Sequence, residues 1–107
     1  MKKSLKFEIE LDENHLPINI KMDASDGAAN EGDIKALMIS AWAAKTKETL
    51  RIDLWTKDMP INEMFIMYHQ TMTAMATSLE KATGQDKLAG ALRDYCEFFA
   101  QETKIKG

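Results

Sequence analysis

Apolar and charged side chains alternate from Ser4 to Leu11: Leu5, Phe7, Ile9 and Leu11 take one face, Lys6, Glu8 and Glu10 the other. Period two predicts a half-buried strand. The turn-rich DENHLP follows, then a second strand from Pro17 to Met22 with Ile18, Ile20 and Met22 inward, so the two form a hairpin. Asp23 to Gly32 reads as a loop, with Asp26-Gly27 and Glu31-Gly32 as its breakers. From Asp33, a good N-cap, to Lys45 the pattern changes. Ile34, Leu37, Met38, Ala41 and Trp42 fall at helical spacing and predict a first helix. After the polar Thr46 to Glu48, strict alternation returns in a third strand, Thr49 to Trp55. Leu50, Ile52 and Leu54 alternate with Arg51 and Asp53, and Trp55 falls where a polar side chain is due. Pro60 suits the opening of a second helix, which runs to Thr83. Gly84 is placed for a left-handed C-terminal residue, and a third helix covers Asp86 to Glu102. The tail KIKG is expected to fray.

The order ββαβαα predicts an α+β fold. A right-handed crossover from strand two through helix one gives a three-stranded antiparallel sheet of order 2-1-3 with helices on one face. Its outer face carries Lys6, Glu8 and Glu10 beside Arg51 and Asp53. Residues 1–107 read as a single domain. A chain of this length hides roughly 65% of its unfolded surface, enough for one modest core.

Composition narrows the function. The chain is 45% hydrophobic, too rich for a disordered segment. It has no run of about 18 apolar residues to span a bilayer. Its basic start lacks the apolar stretch of about 7 to 15 residues that a signal peptide needs. The single cysteine, Cys96, makes no internal disulfide. A cytoplasmic location is the expectation. The net charge of −3, with lysines interleaved among acids, argues against nucleic acid.

No catalytic constellation is visible. Cys96 in YCEFF has apolar surroundings that do nothing to lower its pKa, so it reads as a small core residue. His15 and His69 lack ligand-spaced neighbours, and a zinc site needs three or four ligands. Neither a metal nor another cofactor is expected. Methionine is frequent, at eight. Met64 with Met67, and Met72 with Met75, could share a helix face. Three readings stand side by side: core filling, a surface that grips a partner helix, and a soft-metal site, the weakest because Phe65, Tyr68 and Leu79 interleave. The apolar arc of helix two is wider than one stripe, since Ile66, Met67, Ala74 and Ala76 flank its main face. Such an arc must be covered on more than one side. A homodimer or a protein partner across helices two and three is the expectation.

Several segments together, LRIDLWTKDMPINEM, YHQTM, SLEKATG and LRDYCEFFA, resemble the GldC family of gliding-motility proteins. The opening KKSLKFEIELDENHLPINI and the middle KALMISAWAAKTKETLRIDLW are similar too, so the resemblance covers nearly the whole chain, with RIDLWTKDMP its most specific stretch. Departures fall at Phe65 to Tyr68 and around Ala24 to Asn30. The resemblance implies a small cytoplasmic accessory of gliding motility, serving machinery linked to a cell-envelope motor and type IX secretion. It supplies no catalytic residue and no cofactor.

Together these readings predict a non-enzymatic protein that acts by protein–protein contact. The candidate contact residues are Trp55, Met64, Met67, Tyr68, Met72, Met75 and Phe98. Trp55 has two readings: a strand-end residue packed over the turn near Met59 and Pro60, or an exposed anchor on a charged face. The rival class is a small-ligand or lipid-binding domain, with a pocket between sheet and helix two lined by Phe7, Ile52, Met64 and Phe65. An enzyme is the third alternative and would need a cleft with clustered polar residues.

Overall fold

A computed structural model describes residues 1–25 and 34–105. The expected loop breakers Asp26-Gly27 and Glu31-Gly32, the helix cap Asp33, and Lys106 and Gly107 of the tail lie outside these residues. The chain divides into two units, Met1–Met59 and Pro60–Gly107.

The first unit is built of strands. β1 (Leu5–Leu11) pairs antiparallel with β2 (Pro17–Ala24), with Phe7 opposite Met22 and Ile9 opposite Ile20. The hairpin between them closes on Asp12, whose carboxylate accepts the N–H groups of Asn14 at 2.8 Å and Leu16 at 3.0 Å. An Asp side chain that bonds its own backbone two residues on makes such a turn. His15 takes the left-handed conformation there, φ 64°. Ile20 is fully buried. It faces Ile9 across the sheet and makes an isolated antiparallel bridge to Ile34.

The expected first helix is a strand. β3 (Ala36–Ala43) pairs with β4 (Glu48–Trp55) in eight uninterrupted antiparallel pairs, from Ala36 opposite Trp55 to Ala43 opposite Glu48. A turn over residues 44–47 joins them, with Lys47 at φ 56° donating its N–H to the Ala43 carbonyl at 2.8 Å. The segment ALMISAWA is apolar at almost every position, so its pattern satisfies the helical and the strand period alike. Pairing decides between them. As a strand it gives Leu37, Ile39 and Ala41 the partners Leu54, Ile52 and Leu50 on one face, and it satisfies the backbone of β4. The sheet order 2-1-3 is therefore wrong. Among the described residues there are four strands in two antiparallel two-stranded sheets, β1-β2 and β3-β4, and β4 pairs with β3 rather than with β1. The expected outer face is lost with it, because Lys6, Glu8 and Glu10 do not neighbour Arg51 and Asp53 across a ladder.

The second unit is a pair of helices close to the expected bounds, α1 (Ile61–Thr83) and α2 (Asp86–Thr103). Pro60 caps α1 in extended geometry, and Gly84 ends it at φ 71°, donating its N–H to the Glu80 carbonyl at 2.8 Å. Among the described residues of this unit, Ala76, Ala89, Cys96 and Ala100 are the buried side chains, small groups that let the helices approach closely. Phe99 fills the gap between them: Phe65 meets it edge-on at 6.1 Å between ring centroids, and His69 stacks on it at 6.5 Å. Glu80 and Arg93 pair at 2.7 Å along one edge. No atom lies near a β-carbon added at Gly84, so Gly84→Ala tests backbone strain alone. We expect it to cost about 1 kcal/mol, read from thermal unfolding of the helical signal.

Candidate functional site

The segment TKDMP after β4 ties the first unit together. Thr56 is 1% exposed; its N–H donates to the Lys35 carbonyl at 2.8 Å and its hydroxyl to Asp58 at 2.6 Å. Asp58 also receives the Lys35 ammonium at 2.8 Å. Lys57 donates its N–H to the Pro17 carbonyl at 3.0 Å and its ammonium to Asp12 at 2.7 Å. Three consecutive residues thus bind the start of β2, the residue before β3 and the β1–β2 turn. This is why Trp55 sits at a fixed place beside that turn.

The same ties set two acids. The Lys57 ammonium, helped by the Leu16 and Asn14 N–H groups, holds the Asp12 carboxyl below its usual 3.8. The Lys35 ammonium, then the Thr56 hydroxyl, does so for Asp58. Groups with lowered folded pKa values contribute stability that is complete above 3.8 and is lost as pH falls through the lowered values. We expect the melting temperature of the wild type to fall as pH drops through that acid window. Asp12→Asn with Asp58→Asn should flatten the dependence.

The β3–β4 ladder sorts the aromatic residues. Trp42 is opposite Thr49 and Trp55 is opposite Ala36, with Met38, Ser40, Arg51 and Asp53 between them on the same face. Trp42 is 66% exposed and Trp55 53%. Arg51 donates there to Ser40 and to Asp53. Two aromatics flanking an ion pair make a surface suited to a protein partner, since tryptophan and arginine are favoured at such contacts. Beside Trp55 is an open hollow of about 350 Å³ lined by Leu16, Pro17, Asp53, Leu54, Trp55 and Lys57. Its lining, mainly apolar with one acid and one base, can take a side chain of a docked protein.

The other expected contact residues lie on the helices. On α1, Met64, Met67 and Met72 are half-buried, whereas Tyr68 and Met75 are exposed. Phe98 of α2 is exposed and packs on Tyr95 at 5.9 Å between ring centroids. Tyr68 and Met75, seven apart, share one face of α1. Trp55 belongs to the first unit and these residues to the second; of the rival pocket, Phe7 and Ile52 belong to the first and Met64 and Phe65 to the second. Trp42 was missed as a contact residue because a helical stripe would have buried it. Reading ALMISAWA with period two puts it on the face of Trp55. Cys96 is buried, as its surroundings implied. Among the described residues no three His, Cys, Asp or Glu side chains are grouped to hold a metal ion, and no helix is long and apolar enough to cross a membrane.

Compared with known protein families, residues 17–105 match the model of gliding motility-associated GldC-like proteins. The chain belongs to the GldC-like family. The match spans β2 to the end of α2 and includes RIDLWTKDMP, both tryptophans and both helices. β1 lies before its first residue. No curated protein and no solved structure matches this GldC-like chain significantly. Membership associates it with gliding motility.

Proposed function

We propose that this GldC-like protein is a non-enzymatic cytoplasmic accessory of the gliding and type IX secretion machinery. It acts by binding a protein component of that machinery through the tryptophan face of the β3–β4 hairpin. One observation carries the reading: Trp42 and Trp55 share a strand face and are both more than half exposed. Scattered exposed apolar residues are ordinary, but here two tryptophans lie on one strand face, at either end of the ladder, with Arg51 between them. Of the two readings of Trp55, the anchor is the one this exposure supports.

The test is complementation. Cells lacking the gene are supplied with the wild type, Trp42→Ala with Trp55→Ala, or Lys21→Ala on the charged face of β2. Colony spreading is read alongside protein abundance. The tryptophan variant should accumulate without restoring spreading, and the lysine variant should restore it. Full restoration by the tryptophan variant would rule out this face.

A further inference from the structure

The helical pair has a second surface that the tryptophan face does not explain. Glu80 and Arg93 mark one edge of the pair. On the opposite edge, α1 presents Ile61, Tyr68 and Met75 and α2 presents Leu88 and Tyr95, all exposed. At helical spacing the α1 row runs through Ile61, Met64, Tyr68, Thr71, Met75, Leu79 and Ala82 without a single charge. The α2 row runs Leu88, Leu92, Tyr95 and Phe99, and meets its first charge at Glu102.

We propose that this face is occupied by the same face of a second copy of the chain, making an antiparallel four-helix bundle about a two-fold axis. Size supports that occupant. At 1.5 Å per residue the 23 residues of α1 are about 35 Å long, and two helices side by side are about 20 Å wide. The 18 residues of α2 reach only about 27 Å, so the face is about 600 Å², at the low end of the roughly 600–1,000 Å² per partner of stable interfaces. Charge supports it too. An uncharged face meets itself without like-charge repulsion, and it has no charge pattern with which to select a different protein. Tyrosine and methionine are enriched at interface cores, and two helices become four by the packing that bundles use. This inference is independent of the tryptophan face, which lies in the other unit.

Sedimentation equilibrium of the full chain from about 1 to 200 µM tests it. The expected result is a rise to twice 12.1 kDa, abolished by Tyr68→Glu with Tyr95→Glu and unchanged by Gln70→Glu on another face of α1. Should the double variant fail to fold, isotope-filtered NMR on mixed labelled and unlabelled wild-type chains gives the answer without it. Contacts between chains from Met75 and Tyr68 to Leu88 or Tyr95 are expected. A monomer at every concentration, a dimer whose contacts between chains avoid these residues, or a monomer that binds a different protein here overturns the proposal.

Discussion

Ile20→Ala should be the most destabilising single substitution in the strand unit, costing about 2–5 kcal/mol. Its side chain is fully buried, opposite Ile9 in β1 and bridged to Ile34 ahead of β3. Truncation loses transfer free energy and leaves a cavity where these three segments meet. A domain of this size is stable by only about 5–15 kcal/mol, so the loss is a large share. Both tryptophans lie in this unit, so their fluorescence reports its unfolding in urea. With a slope of about 2 kcal/mol per molar, the midpoint should fall by about 1–2.5 M. Ile18→Ala, on a side chain already exposed, should shift it far less. Equal shifts would mean that Ile20 is not the centre of this core.

Trp55→Ala should weaken partner binding by about 30-fold or more, the cost of losing a hot-spot tryptophan of about 2 kcal/mol. The buried half of the ring, roughly 100 Å² at about 25 cal/mol per Å², stabilises the fold by at most about 2.5 kcal/mol. Stability must therefore be measured beside affinity, and affinity measured well below the variant's unfolding transition. Under those conditions a folded variant with reduced affinity supports the anchor. A less stable variant with unchanged affinity makes Trp55 a packing residue only.

The sequence was most legible where only one period fits. β1, β2 and β4 alternate cleanly, and α1 and α2 carry long stripes bounded by Pro60 and Gly84; all five lie close to their expected places. Ala36–Ala43 was misread because an almost uninterrupted apolar run satisfies both periods, and its alanines favour helix locally. A ladder of eight pairs overrode that preference. The sheet order followed the same error, since a crossover helix was needed to bring β4 beside β1. The site was half legible for the same reason. The break in alternation at Trp55 was visible from spacing, but its companion Trp42 was hidden by the assigned helix. The fastening role of Thr56, Lys57 and Asp58 depends on carbonyls and acids far away in sequence, and no local pattern announces it.

Site-specific photo-cross-linking in living cells puts the tryptophan face to its most direct trial. A photoreactive residue is placed at position 42 or 55, and at position 21 on the charged face of β2 as the control. Positions 42 and 55 should give a discrete adduct with one component of the gliding machinery, and position 21 should give none. Adducts of equal yield from all three positions, or none from 42 and 55 in cells that still glide, would contradict a role for the two tryptophans in docking.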